Sequence, residues 1–175
     1  MIGGISSAIT ESSQLYIKIS EIQTISQRAQ RTTGDWGNSL RQLSDQFGLP
    51  ILDQASAAYE ALSNQVVDSS SSFDFLTKSA TFARATVSSM ADSVNLLSSI
   101  LNAYNLNVSE TDRVSAALFK TIELGRVRAS EMANTIGSTA ALAKQAGVGL
   151  EEFLAVMATL TIKGIQPDTA NTLLR

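Results

Sequence analysis

Apolar residues recur at steps of three and four through most of this chain, which is the spacing of one face of an α-helix. Sustained alternation of apolar and polar positions, the pattern of a half-buried strand, is rare. Only two prolines, Pro50 and Pro167, interrupt the chain, and each stands where it suits the first turn of a new helix. The pattern therefore predicts an all-α fold, a multi-helix bundle of αα-hairpins.

The first 33 residues carry a narrow apolar seam with alternating three- and four-residue steps, at Ile2, Ile5, Ile9, Ser12, Tyr16 and Ile19. Such a seam is typical of a coiled-coil-like arm that needs a partner helix. An ordinary amphipathic helix of the same domain fits it equally well. The run Gly34-Asp35-Trp36-Gly37 interrupts the pattern and is expected to form a turn, with Trp36 at a helix junction. The sequence thus predicts an N-terminal helical arm, residues 1–33, and a helical core region, residues 38–175.

Several helix ends are predicted where a residue that tolerates the left-handed conformation precedes an apolar residue, the pattern of a Schellman cap. The corners expected from this pattern are Gly48, Asn105-Leu106, Gly147 and Gly164-Ile165, and Gly125 is expected to end a further helix. Three of them recur at intervals of 57 and 59 residues. The second interval pairs Leu97 with Val156. A duplicated helical unit would explain the recurrence, but reuse of one corner chemistry by any chain of αα-hairpins is the preferred interpretation.

Two helices in the second half of the chain carry clear apolar stripes. The first has Leu118 and Ile122 on one face. The second has the cleanest stripe of the chain, with Phe153, Leu154, Met157 and Leu160. We expect these six residues to lie in the core.

The amino-acid composition limits the kinds of catalytic and metal site that the chain could form. The 175 residues include no histidine and no cysteine, so catalytic and metal sites that use these residues are excluded. The adjacent Glu151 and Glu152 are expected to be first-turn acids that suit the helix dipole. We therefore predict no catalytic residue, no cofactor, no metal and no small-molecule substrate; the protein is expected not to be an enzyme.

The charge pattern narrows the choice of partners. A net charge of −3 without clustered Lys and Arg predicts no direct nucleic-acid site. The chain has no apolar run long enough to form a transmembrane segment and no secretory signal at Met1. Charged residues make up only 17%, and such a weakly charged surface does little to discourage association.

Residues from about 89 to 175 resemble the core region of phage tail tape-measure proteins. The resemblance is carried by an ordered set of short stretches: 102–109, 118–125, 131–133, 136–137, 146–148, 158–161 and 164–165. Asn105 stands where these proteins usually have glycine, and asparagine tolerates the same backbone conformation.

The resemblance implies a structural role in the phage tail: setting the length of the tail tube and acting in tail assembly and DNA ejection. It implies tail-tube protein and tail-assembly chaperones as partners, a homo-oligomer in the particle, and a location in the lumen of the tail tube after assembly in the host cytoplasm. Relatives are much longer, and no helix cap follows Leu173-Leu174, so the chain is expected to be a fragment or a truncated product. The alternative is a free-standing helical protein–protein interaction module.

Overall fold

The computed structural model describes residues 2–26, 32–68 and 71–175, with side chains from Thr10 onward. These residues form ten α-helices and no strand, which confirms the all-α class. The helices are α1 (Ile2–Ile25), α2 (Thr33–Phe47), α3 (Ile51–Ser63), α4 (Ser72–Thr86), α5 (Met90–Tyr104), α6 (Thr111–Gly125), α7 (Ala129–Ala133), α8 (Ile136–Gln145), α9 (Leu150–Ile162) and α10 (Pro167–Leu173). A short 3₁₀ turn, Val108–Glu110, precedes α6.

The chain divides into two compact units, residues 1–77 (unit 1) and 78–175 (unit 2). The boundary falls inside α4, whereas the sequence pattern divided the chain at residues 34–37. The division was expected there because Gly34 and Gly37 interrupt the helical spacing of apolar residues. Those glycines do not interrupt the packing, because α1 contacts both α3 and α2 within unit 1.

The buried face of α1 differs from the predicted seam. Leu15, Ile19 and Ile22 are buried, while Tyr16 is exposed. The side chains of Ile2, Ile5 and Ile9 lie outside the described residues. Four alanines of α3 are fully buried, and such small side chains allow close helix approach: Ala55, Ala57, Ala58 and Ala61.

The expected turn at residues 34–37 is wrong, because these residues form the first turn of α2. The Oγ1 of Thr32 accepts a hydrogen bond from the Asp35 backbone N–H at 3.2 Å, and the Asp35 carboxylate accepts one from the Thr32 N–H at 2.9 Å. This capping box satisfies two backbone donors and so favours a helix start despite the glycines. Trp36 is fully buried, with its ring centroid 4.8 Å from that of Phe73.

Unit 2 is built around α5. This helix packs against α6, α7 and α8, while α9 packs on α6, and α10 contacts α7, α8 and α9. The buried positions of α5 include Leu96 and Ser98, which lie on nearly opposite sides of the helix, as well as Val94 and Leu97, so more than one side of α5 faces the interior. Gly137 allows α8 to approach α5 closely, since a Cβ at residue 137 would lie 3.1 Å from the Cβ of Ser99 on α5.

Helices α2, α5 and α9 share one construction. Each follows an N-cap residue (Thr32, Ser89 and Gly149), carries an acid three residues later (Asp35, Asp92 and Glu152), and precedes a left-handed residue (Gly48, Asn105 and Gly164). When α2 is aligned with α5 at an offset of 57 residues, each buried residue of α2 corresponds to a buried residue of α5. When α9 is aligned with α5 at an offset of 60 residues, each buried residue of α9 likewise corresponds to a buried residue of α5.

This correspondence corrects the register read from the sequence. The 59-residue interval paired the buried Leu97 with Val156, which is 38% exposed, whereas the 60-residue interval pairs it with the buried Met157. The interval of 59 is the distance between the corners that follow the two helices, whereas the interval of 60 is the distance between their first residues. The two intervals differ because α9 is shorter than α5. The three helices therefore follow one local pattern of cap, buried face and corner, which a duplicated unit and reuse of corner chemistry both explain.

Val87 ends α4 in a conformation that valine rarely adopts. Its φ is +53° and its side chain is 94% exposed, while the Ser88 N–H donates to the Ala83 carbonyl at 3.0 Å. A β-branched residue is strained at positive φ, and here no burial compensates for the strain.

Replacing Val87 with glycine should therefore raise the free energy of unfolding by about 0.5 to 1.5 kcal/mol, since relief of strain outweighs the added freedom of the unfolded chain. Chemical denaturation followed by far-UV circular dichroism measures the change. The control is Val87→Ala, which keeps most of the strain and should gain less. Equal stability of the Val87→Gly variant and the parent chain would show that the corner is not strained.

Candidate functional site

The predicted corners Gly48, Asn105, Gly147 and Gly164 all have positive φ. At three of them the following apolar residue closes the cap, and at Gly147 the Val148 N–H donates to the Ala143 carbonyl at 2.9 Å. The Leu106 N–H donates to the Leu101 carbonyl at 2.8 Å, and the Ile165 N–H donates to the Leu160 carbonyl at 3.3 Å. Leu106 and Ile165 are half-buried. These caps satisfy carbonyls at the helix ends and set the direction of the next helix.

Gly125 is not the left-handed residue at its corner. It is the last residue of α6, and Arg126 takes the left-handed conformation with φ +54°. The physical reason lies on α9. A Cβ on Gly125 would clash with the Oγ1 of Thr161 and lie 3.2 Å from the Cα of Ala158. Glycine is therefore required here for a close helix crossing and not for its backbone freedom.

Replacing Gly125 with alanine should destabilise unit 2 by about 1 to 3 kcal/mol, because the added methyl group overpacks the crossing of α6 and α9. Thermal or denaturant unfolding measures the loss. Adding Thr161→Ala should restore part of it by removing the clashing hydroxyl. The matched control is Gly34→Ala, where the nearest atom outside the local backbone is 3.6 Å away and no loss is expected. A neutral Gly125→Ala variant would contradict this geometry.

The six predicted core residues divide into two groups. Leu118, Phe153, Leu154 and Met157 are buried, whereas Ile122 and Leu160 are half-buried. Thr121, adjacent to Ile122, is buried in its place, and its hydroxyl donates to the Ala117 carbonyl at 2.8 Å. The sequence pattern also places Thr121 on the apolar stripe of this helix, and a polar residue enters such a face readily when its hydroxyl is bonded within its own helix.

One ion cluster links α6 and α9. Arg113 donates to the Glu110 carboxylate at 2.7 Å and also pairs with Glu151. The hydrogen bond to Glu110, with the charges of Glu151 and Glu110, raises the pKa of Arg113. All three side chains are substantially exposed, so the cluster orients the helices and contributes little to stability.

Tyr104 ends α5 beneath the start of α9. Its hydroxyl lies 3.5 Å from the Gly149 carbonyl, and Lys144 approaches its ring. Burial, with the nearby Glu151 and Glu152 carboxylates, raises the pKa of Tyr104 above its ordinary value of 10.0. The fold therefore favours the neutral phenol.

The stabilising contribution of Tyr104 should be fully present below pH 10 and be lost as the pH rises through the raised pKa of the folded state. Unfolding curves measured across this range should show a steeper alkaline loss of stability for the parent chain than for Tyr104→Phe. Identical slopes would contradict the assignment.

The described residues contain no group of His, Cys, Asp and Glu side chains that could hold a metal ion. Among these residues, no helix is both long and apolar enough to cross a membrane. What unit 2 does present is two open grooves between helices. One holds about 350 Å³ beside Leu142, Val156 and Leu174, and the other holds about 420 Å³ between α4 and α6.

The described residues thus define an all-helical fold whose helices are joined by tight corners. The comparisons with known proteins agree. A family model described as phage-related minor tail protein matches residues 24–175. A protein named probable tape measure protein, from Clostridium phage phiCD119, is 28% identical over 123 residues, which cover 69% of this chain and 13% of that relative. No solved structure matches.

The chain belongs to the phage-related minor tail protein family. The resemblance to tape-measure proteins is confirmed, and membership gives the chain a structural role in the phage tail. The match begins at residue 24, so it takes in α2 and α3, where the sequence alone offered no matching motif. The chain spans about one eighth of the length of the curated relative it matches.

Proposed function

We propose that the chain is a tape-measure segment that helps to set the length of the tail tube and leaves the tail ahead of the DNA. The observation that carries this proposal is the family match over residues 24–175, together with the similarity to a probable tape measure protein. The physical basis is that a helix advances about 1.5 Å per residue, so in a chain extended as helix the residue number converts directly into length.

The helical surface supports a purely structural action inside the tail tube, without a catalytic step, cofactor or metal. The proposed partners are the tail-tube protein, tail-assembly chaperones in the host cytoplasm, and further copies of the chain in the same particle. The neutral grooves of unit 2 and the low charge of the whole chain, 17% charged residues, favour such packing among proteins.

An in-frame duplication in the phage that encodes the chain tests the proposal. The block to duplicate is residues 90–149, because its end, Gly149, and the residue before its start, Ser89, cap corresponding helices. The duplication adds about 60 residues, which should lengthen the tail by up to about 90 Å if the block is extended as helix. Electron microscopy of purified particles measures the length.

The matched control is Gly125→Ala, which perturbs the fold without changing the number of residues and should leave the tail length unchanged. Tails of parental length in the duplication strain would contradict the proposal. That result would favour the alternative, a helical protein–protein interaction module.

A further inference from the structure

The apolar stripe of α4 continues in register into α5, although a corner at Val87 separates the two helices. Its members stand at alternating steps of four and three residues: Leu76, Ala80, Ala83, Val87, Met90, Val94, Leu97, Leu101 and Tyr104. All of them are buried except Val87. Such spacing is the seam of one continuous helix, and two unrelated helices would share this register only by coincidence.

The corner at Val87 has none of the usual helix-ending residues. Residues 72–104 contain no glycine and no proline, so their sequence is compatible with one continuous helix. At four other corners the left-handed residue is one that tolerates positive φ: Gly48, Asn105, Gly147 and Gly164. Here it is a β-branched residue with φ +53°. In a continuous helix Val87 would lose this strain and would occupy the central position of the stripe.

Side-chain hydroxyls hold the corner against this strain. The Ser88 Oγ lies 2.8 Å from the Thr86 Oγ1 and 2.9 Å from the Ser93 Oγ. The Ser89 Oγ accepts a hydrogen bond from the Asp92 N–H at 3.0 Å and so caps the start of α5. Residues five apart in a helix point about 140° away from each other, so a continuous helix would separate Ser88 from Ser93. The corner therefore depends on a small set of hydrogen bonds.

We propose that the corner at Val87 is a conformational switch between two states of the chain. In the bent state, which is the one described above, α4 and α5 are separate helices. In the straight state Val87, Ser88 and Ser89 take helical dihedral angles, and residues 72–104 form one helix about 50 Å long. This inference goes beyond the proposed function, because it concerns the chain itself and holds whether or not the chain sets the length of a tail.

Electron paramagnetic resonance distances between two spin labels on the full chain test the switch. The chain has no cysteine, so Thr81→Cys and Asn102→Cys introduce the only attachment points, and both positions are exposed within unit 2. In one straight helix the two Cα atoms lie about 32 Å apart, and a tight corner between them shortens that distance. The parent chain should show a major component at a shorter distance and a minor component close to the straight-helix value.

Two variants should shift the ratio of straight to bent chains in opposite directions. Ser88→Ala/Ser89→Ala removes hydrogen bonds of the corner and introduces the best helix-forming residue, so the ratio should rise by about tenfold or more. Val87→Gly relieves the strain of the bent state and weakens the straight helix, so the ratio should fall by about tenfold or more.

The matched control is Ser115→Ala/Ser138→Ala, which makes the same chemical change on α6 and α8 of unit 2 and should leave the ratio unchanged. Circular dichroism verifies that each variant folds, and Ser89→Ala alone replaces the double variant at the corner if that variant does not.

A single short distance in both the parent chain and the Ser88→Ala/Ser89→Ala variant would overturn the inference. A long-distance component that persists undiminished in Val87→Gly would overturn it as well, because the corner would then not control the equilibrium. Neither result would bear on tail length, so failure of the switch is distinguishable from failure of the tape-measure proposal.

Discussion

Replacing Leu118 with alanine should lower the free energy of unfolding of unit 2 by about 2 to 5 kcal/mol. Leu118 has no exposed surface and lies on the buried face of α6 that also carries Val114, Thr121 and Gly125. Truncation removes buried methyl groups and leaves a cavity that the close contact between α6 and α9 prevents from collapsing. Denaturant unfolding followed by far-UV circular dichroism gives the difference.

The control for Leu118 lies on the same helix. Leu124→Ala should change the free energy of unfolding by less than about 0.5 kcal/mol, because Leu124 is exposed and surface substitutions cost little. A near-zero cost for Leu118→Ala as well would show that the face between α6 and α9 is not packed in the isolated chain. The face would then have to wait for a partner to cover it.

Replacing Trp36 with alanine should destabilise unit 1 by about 3 to 5 kcal/mol. Its side chain is fully buried near the start of α2, and its ring is tilted by 42° against that of Phe73 on α4. Alanine would remove both the buried area and the aromatic contact. Because Trp36 is the only tryptophan, circular dichroism and not intrinsic fluorescence must follow the unfolding.

The comparison variant is Trp36→Phe, which keeps an aromatic ring against Phe73. It also removes the indole Nε1, a buried donor with no hydrogen-bond partner among the described residues. The loss should therefore be less than half that of Trp36→Ala, since a buried unsatisfied group is removed together with part of the ring. Equal losses in the two variants would contradict a stabilising role for the ring contact.

The helices and most corners of this fold could be predicted from sequence because their signals are local. Gly48, Asn105 and Gly164 each combine a residue suited to positive φ with an apolar residue one position later, and these few residues form the cap. The period of three and four likewise follows from the geometry of a single helix.

Features that depend on contacts between distant residues could not be predicted. Gly125 reads as a helix stop, but its role is set by Thr161 on another helix. Leu15 and Tyr16 are adjacent apolar residues, and only the position of the packing helices decides which one is buried. Val87 carries no signal for a left-handed corner. The groove beside Phe119 arises because α4 and α6 line the same open space, which no pattern within either helix indicates.

The most direct test of the structural role is quantitative mass spectrometry of tails purified from the phage that encodes this chain. Peptides from both units are expected in a fixed and small number of copies per tail, in particles that still retain their DNA. After DNA release the same peptides should be depleted from the tail tube. Absence of the chain from intact tails would contradict a structural role in the particle.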